Sequence, residues 1–119
     1  MTAAAMARQI VAYVTANPHS SFFQLVEHLG EPAKGDRVIE IRPNLCLWID
    51  VSNLFIDALN SVLNKEVKLE PANRLTYLVD GCLLPLPIPR RAQSSYAKPY
   101  WAPATLSINE VYRTAGGAQ

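Results

Sequence analysis

Basic and aromatic side chains are interleaved in the last third of the chain, in a stretch without any acidic residue. The stretch covers residues 81–109, and its charged and large aromatic members are Arg90, Arg91, Tyr96, Lys98, Tyr100 and Trp101. Cations neutralise phosphates, and rings stack on bases or fit a minor groove. The pattern therefore indicates a groove that follows a nucleic acid backbone. The alternative is that the rings pack back over the core while the cations stay in water.

A second set of candidates lies on the polar face of a predicted helix over residues 52–63. An asparagine amide offers the donor and acceptor that adenine presents in the major groove. Asparagine also caps and ends helices, which accounts for Asn53 and Asn64, so a solvated helix face explains the pattern more simply. With the neighbouring cations, the nucleic-acid-binding candidates are Asn53, Asn60, Asn64, Lys65, Lys68, Arg74, Arg90, Arg91 and Lys98.

Three prolines, at positions 85, 87 and 89, alternate with apolar residues. Each lacks a backbone donor and favours an extended conformation, which excludes a central strand. Such a segment presents side chains to a second chain, or to a second copy of itself, at low entropic cost. The candidates for partner binding are Leu83, Leu84, Leu86, Ile88, Tyr100 and Trp101.

Residues suited to catalysis are scarce. His19 follows a proline and His28 lies on the polar arc of a predicted helix, and neither belongs to a recognisable motif. Cys46 and Cys82 lack paired or zinc-ligand spacing, so we expect buried free thiols, with a disulfide as the less favoured alternative. We therefore expect a protein that is not an enzyme and that holds no metal or cofactor.

Composition limits the possible classes. The chain has 119 residues, of which 50% are hydrophobic and 18% charged, so it can bury a core as one domain. Its net charge of +1 excludes a histone-like binder. The charge is uneven, because residues 1–80 carry seven bases and nine acids and residues 81–119 carry four bases and one acid. No signal peptide or membrane span is recognisable, so we expect a cytoplasmic protein.

Hydrophobic periodicity predicts three helices. The first is amphipathic and ends near Ala16, because Pro18 disfavours helical torsions in the residue before it. The second begins at a capping box formed by Ser21 and Gln24 and ends at Gly30. The third begins after an N-cap serine at position 52.

Two pairs of strands are also predicted. Residues 38–42 and 45–49 flank a Pro-Asn turn and form a hairpin, preceded by a loop at residues 31–36. Residues 67–70 and 75–79 alternate apolar and polar side chains around a bend, which is typical of two antiparallel strands.

This succession of elements resembles winged helix-turn-helix domains. Residues 20–30 are similar to the second helix of that family, residues 52–63 to its groove-reading helix, and residues 67–80 to its hairpin wing. The resemblance covers roughly residues 3–81 and implies DNA binding by the third helix and the wing. The chain departs from the family in the 21 residues that separate helices two and three, and in a third helix whose polar face lacks Lys and Arg.

The sequence thus predicts an α+β fold of the winged-helix type, with three helices, a small antiparallel sheet and an extended C-terminal arm. Residues 1–113 form the domain, the arm covers about 83–113, and residues 114–119 fray. The predicted function is non-enzymatic, either DNA-binding or transcription-associated, with duplex DNA as the partner. The alternative is a module for protein interaction or dimerisation that binds no nucleic acid, and neither role involves a membrane or a cofactor.

Overall fold

The computed structural model describes residues 1–111 and has a mixed α+β fold, so the predicted class is confirmed. The elements are α1 (Ala3–Ala16), β1 (Ser20–Ser21), α2 (Phe22–Leu29), a 3-10 turn (Glu31–Ala33), β2 (Lys34–Arg42), β3 (Leu45–Val51), α3 (Asn53–Val62), β4 (Val67–Pro71), α4 (Arg74–Leu78), β5 (Tyr100–Trp101) and β6 (Ala104–Ile108). The strands within residues 1–111 form two three-stranded sheets, ordered β1-β6-β4 and β2-β3-β5. The tail predicted to fray, residues 114–119, lies outside the described residues.

Helix α1 forms where the sequence predicts it. The Thr2 hydroxyl caps its first turn by accepting a hydrogen bond from the Ala5 N–H at 3.1 Å. Met6, Ile10 and Val14, spaced at helical intervals, form its buried stripe. The helix ends at Ala16, as the following Asn-Pro pair predicts.

Helix α2 is set by the predicted capping box. The Gln24 N–H donates to the Ser21 hydroxyl at 3.0 Å, and the Ser21 N–H donates to the Gln24 side-chain oxygen at 3.2 Å. Gly30 ends the helix with a φ of +78°, a left-handed conformation that suits glycine. Both predicted ends are confirmed.

Helix α3 begins after Ser52, whose hydroxyl accepts from the Phe55 N–H at 3.1 Å. The same hydroxyl donates to the Pro32 carbonyl at 2.7 Å and so ties the helix to the 3-10 turn. Phe55, Leu59 and Val62 are buried, and α3 packs against α1. The clearest periodicity of the sequence thus identifies a core helix.

The predicted hairpin of β2 and β3 is present and antiparallel, and Asn44 in its turn adopts a left-handed φ of +63°. Residues 31–36 differ from the predicted loop, because a 3-10 turn and the first residues of β2 occupy them. A Cβ on Gly35 would lie 2.8 Å from the Val51 carbonyl oxygen. Because a residue without a Cβ fits this close backbone approach, strand β2 begins within a segment whose composition is typical of loops.

The predicted wing does not form. Strand β4 is present, but its predicted partner at residues 75–79 is largely helix α4, which begins where the Asn73 side chain accepts from the Leu75 N–H at 2.9 Å. Leu75 and Val79 are exposed while Tyr77 is buried. A short apolar alternation is compatible with a helix that buries one side chain, so periodicity alone misassigned it.

The C-terminal arm also departs from the extended form predicted for it. Strand β6 lies at the centre of its sheet between β1 and β4, and β5 pairs with β3 in parallel. Leu106 and Trp101 are fully buried. The end of the predicted arm is therefore core structure, because β6 supplies the neighbour that β4 needs.

An aromatic cluster lies where these elements meet. The Trp48 and Tyr77 rings stack with centroids 5.1 Å apart, and the Trp101 ring meets the Tyr77 ring edge-on at 5.1 Å. These three residues, from β3, α4 and β5, are buried within the core. The cluster joins the β2-β3-β5 sheet to α4.

Both cysteines are free, and Cys46 is buried as predicted, whereas Cys82 is only half-buried. Desolvation, followed by the charge of Glu40, raises the pKa of Cys46 to about 11, and burial likewise raises the pKa of Cys82. Among residues 1–111, no helix combines the length and apolar character that crossing a bilayer requires.

Candidate functional site

The irregular segment between α4 and β5 folds into a concave site with a volume of about 700 Å³. We call it the basic-aromatic cleft and define it by Ile88, Arg90, Arg91, Tyr96, Lys98 and Tyr100, all of which line it. Its cations and rings are those that the sequence analysis singled out, except that Trp101 belongs to the core. Folding therefore brings together residues that sequence order leaves spread over 13 positions.

Backbone hydrogen bonds hold both ends of the cleft segment. The Trp101 N–H donates to the Pro87 carbonyl at 2.9 Å, and the Tyr100 N–H donates to the Asn44 carbonyl at 2.7 Å. The cleft is thus attached to the β2–β3 turn.

Tyr96 organises the loop that carries the cations. Its hydroxyl donates to the Arg91 carbonyl at 3.2 Å and accepts from the Gln93 N–H at 3.0 Å. Its own carbonyl accepts from the Asn44 side-chain amide at 2.7 Å. Arg42 adds a bond from its guanidinium to the Gln93 carbonyl at 2.8 Å. Tyr96 is therefore a positioning residue whose buried ring shapes the cleft from beneath.

The electrostatics of the cleft are one-sided. Arg90, Arg91 and Lys98 are exposed, and no acidic residue lines the site. Within residues 1–111, the charged side-chain groups of these three residues form no hydrogen bond or ion pair. Like charges that converge without partners raise the local positive potential and attract an anion.

One ring of the cleft is available to a ligand. The centroids of the Tyr96 and Tyr100 rings lie 5.2 Å apart with a tilt of 54°. Tyr96 is buried and uses its hydroxyl internally, whereas Tyr100 is half-buried and its hydroxyl has no partner among the described residues. Tyr100 therefore presents the aromatic surface beside the cations.

The predicted asparagine face is largely engaged elsewhere. The Asn53 side-chain oxygen accepts from the Arg37 guanidinium at 2.9 Å. Asn64 adopts a left-handed φ of +62° after α3, and its N–H donates to the Val67 carbonyl at 2.7 Å. Asn60 remains exposed on α3. Asn64 thus has the helix-ending role that the alternative interpretation gave it, whereas Asn53 bonds to Arg37 and the cap of α3 is Ser52.

The remaining predicted cations do not line the cleft. Lys65 is exposed just after α3, and the Lys68 ammonium lies 3.9 Å from a Glu70 carboxylate oxygen. Arg74 donates to the Leu86 carbonyl at 3.0 Å and so secures the proline segment. Only three of the nine nucleic-acid candidates therefore share the cleft among the residues that the structure describes.

The predicted partner-binding residues divide between surface and interior. Trp101 and Leu84 are buried, and Leu86 packs against the core, so none of the three is available to a partner. Leu83 and Ile88 remain exposed, and Tyr100 is half-buried. The apolar segment mostly seals the protein's own core.

Sequence reasoning missed a polar cluster that joins three distant positions. The Ser107 hydroxyl donates to a Glu70 carboxylate oxygen at 2.5 Å, and the His19 N–H donates to the Ser107 oxygen at 3.1 Å. The His19 Nδ1 lies 2.9 Å from the same Glu70 oxygen and 3.2 Å from the Ser107 oxygen. These residues come from the α1–β1 turn, β4 and β6, so no local motif announces them.

The cluster does not have the geometry of a nucleophile with its base. A histidine base contacts the nucleophile through one ring nitrogen and the carboxylate through the other, whereas His19 approaches both through Nδ1. Ser107 is also buried and donates directly to the carboxylate. The cluster therefore ties the His19 turn, which has a left-handed φ of +62°, to its sheet.

The contribution of this cluster to the free energy of unfolding depends on pH. The Ser107 hydroxyl, aided by the His19 ring and the Lys68 ammonium, holds the pKa of Glu70 below its ordinary value near 4.5. A carboxylate with a lowered pKa stabilises the fold above its ordinary pKa and loses that effect as the pH falls through the folded-state value. We expect Glu70→Gln to lower the free energy of unfolding by about 1 kcal/mol at neutral pH.

Urea denaturation at a series of pH values tests this expectation. The difference between wild type and Glu70→Gln should shrink as the pH falls below about 4.5. The exposed Glu31→Gln provides a matched control and should show no such difference. A Glu70→Gln deficit that persists unchanged in acid would contradict the tie.

Comparison of the chain with protein-family models, curated proteins and solved structures finds no match. Its function is therefore inferred from its own residues. The polar side chains of the His19–Glu70–Ser107 cluster form hydrogen bonds with one another, whereas the charged groups of the basic-aromatic cleft are open to a ligand.

Proposed function

We propose that this protein is a non-enzymatic nucleic-acid-binding protein that holds the phosphate backbone in the basic-aromatic cleft. The observation that carries the proposal is the convergence of Arg90, Arg91 and Lys98, whose charged groups have no partner among the described residues, on a cavity lined by no acid. Phosphate is the anion that nucleic acids repeat along a chain, and guanidinium groups bind it through paired hydrogen bonds.

The charge distribution supports local binding. The net charge of the whole chain is only +1, so general attraction to a polyanion is weak. The cleft concentrates three cations in about 700 Å³, where each adds to the potential that the others create. An interaction confined to the cleft follows from this arrangement.

Only part of the winged-helix resemblance supports this proposal. Helices α1 to α3 follow the predicted order, but the segment expected to complete the wing is helical. Helix α3 has no cation on its exposed face, and Asn53 is bonded to Arg37. These features favour the cleft over α3 as the source of phosphate contacts, and a transcription-associated role stays a prediction.

Salt dependence of DNA binding tests the proposal. We expect fluorescence anisotropy with labelled DNA to show affinity falling with salt between about 50 and 200 mM. Three phosphate contacts correspond to a log-log slope of about −2 on a single strand and slightly more on a duplex. Arg90→Ala combined with Arg91→Ala should weaken binding about tenfold or more at low salt, and should lower the magnitude of the slope by about 1.4 on a single strand and about 1.8 on a duplex.

Arg8→Ala combined with Lys65→Ala is the matched control. Both residues are exposed and lie outside the cleft. Their substitution lowers the net charge by the same amount as substitution of Arg90 and Arg91. This control should retain nearly the wild-type slope. Equal losses in both double variants, or no binding at low salt, would refute the proposal.

A protein-interaction role is the second candidate, and one observation favours it. Leu75, Leu78 and Val79 on and beside α4 are exposed by 65%, 53% and 87%. Clustered exposed apolar side chains mark association surfaces. Sedimentation velocity that shows a concentration-dependent dimer, with DNA binding absent, would favour this role over the first.

A further inference from the structure

We infer that the basic-aromatic cleft selects single-stranded nucleic acid, with one unpaired base stacked on Tyr100 while the cations hold the flanking phosphates. This inference rests on the proposed function and specifies its ligand. Three properties of the site support it: its concave shape, the position of its free ring, and a lining in which apolar and cationic residues lie side by side.

The concave shape of the cleft favours a single strand over a duplex. A duplex offers a convex surface with its bases stacked inside, and proteins read it by inserting a helix, a ribbon or an arm into a groove. The cleft is a cavity of about 700 Å³, within the range of about 300–1,000 Å³ typical of pockets that enclose small ligands. It therefore suits about one or two nucleotides that have left a stack.

The rings provide the second argument. Tyr100 lines the same cavity as Lys98 and is half-buried, so the fold holds its ring in place while part of it faces the cavity. Its N–H bond to the Asn44 carbonyl and the Tyr96 ring beside it limit its movement. A fixed ring next to phosphate-binding cations is the arrangement by which proteins bind single strands with little sequence preference.

The lining provides the third argument. Ile88 and its flanking prolines form the apolar part of the cavity, which suits the face of a base or a ribose. The two arginines lie next to them in sequence and are exposed. Polar and apolar surfaces thus occur side by side, as the backbone and base of a nucleotide do.

Ligand variants test the inference without altering the protein. The probes are a labelled oligo-dT of about 15 nucleotides, its duplex with oligo-dA, and an oligonucleotide of equal length with abasic residues. We expect the single strand to bind about tenfold more tightly than the duplex at the same salt concentration. The abasic strand, which keeps every phosphate, should bind about tenfold more weakly than oligo-dT while retaining its salt slope.

Protein variants test the role of the ring. Tyr100→Leu should weaken binding of oligo-dT about tenfold and leave binding of the abasic strand unchanged, whereas Tyr100→Phe should stay within about twofold of wild type. Tyr13→Leu removes another half-buried ring, in α1, and serves as the matched control. Circular dichroism on each variant establishes that the fold is intact.

The outcomes separate the inference from the function on which it rests. Equal binding of single strand and duplex, or of oligo-dT and the abasic strand, overturns the inference and leaves backbone binding in place. Absence of binding to any probe at low salt overturns both. Preference for oligo-dT together with a selective loss in Tyr100→Leu supports both.

Discussion

Replacement of Trp101 by alanine is expected to lower the free energy of unfolding by about 3–5 kcal/mol. The side chain is fully buried, and its ring lies against those of Trp48 and Tyr77. Removing it opens a cavity among rigid aromatic neighbours that cannot collapse to fill the space. For a domain whose total stability is about 5–15 kcal/mol, such a loss is a large part of it, so we expect a much lower denaturation midpoint.

Urea denaturation followed by circular dichroism measures this effect, and Trp101→Phe provides the control. The indole nitrogen of Trp101 is buried without a hydrogen-bond partner among the described residues. Phenylalanine keeps much of the ring volume and removes that unpaired donor, so its cost should be clearly smaller than that of alanine. If Trp101→Ala kept the stability of the wild type and lost only the binding of a partner, the core role of Trp101 would be wrong and the partner-binding role predicted from sequence would be correct.

Tyr77→Phe is expected to lower the free energy of unfolding by about 2–3 kcal/mol, although it removes a single oxygen atom. That oxygen accepts from the Phe22 N–H at 3.1 Å and donates to the Ala104 carbonyl at 2.5 Å. It thereby joins the start of α2 to β6 through α4. Without it, two buried backbone groups lose a partner, and each unsatisfied group costs about 1–3 kcal/mol.

The hydroxyl keeps its proton over the whole working range, since burial raises the pKa of Tyr77 to about 12. Tyr13→Phe is the matched control, because the Tyr13 hydroxyl has no partner among the described residues. Chemical denaturation should separate the two variants by most of the expected difference. Equal stability of Tyr77→Phe and Tyr13→Phe would show that the bridge contributes nothing.

These two effects separate folding from binding. Trp101 and Tyr77 lie beneath the cleft segment in the core, whereas the cleft cations are exposed. Substitutions in the core should therefore change the denaturation midpoint. Substitutions of Arg90 and Arg91 should change the salt dependence of binding and leave the midpoint nearly unchanged.

The members of the cleft were predictable from sequence because their chemistry is local. Basic and aromatic residues interleaved in a stretch without acids mark a candidate anion-binding surface in the sequence itself. Their arrangement was not predictable, since it depends on bonds from Tyr96 and Tyr100 to the β2–β3 turn. The exclusion of Trp101 from the cleft followed from its burial against Trp48, which lies far away in sequence.

The polar cluster of His19, Glu70 and Ser107, in contrast, was not predictable from the sequence. His19, Glu70 and Ser107 are unremarkable where they stand in the sequence, and 51 and 88 positions separate His19 from the other two. No spacing rule connects them. Only the pairing of β1 and β4 with β6 places them side by side.

The sequence by itself determined helices α1 to α3, the caps of α2 and α3, and the first hairpin. These elements depend on contacts within a few residues, such as the Ser21–Gln24 capping box and the Asn44 turn, which local chemistry specifies. Tertiary structure alone decided that residues 74–78 form a helix and that β6 becomes a central strand. The physical reason is that β4 is completed by a strand more than 30 residues away, and the burial of Tyr77 and Trp101 around that strand outweighs short-range alternation.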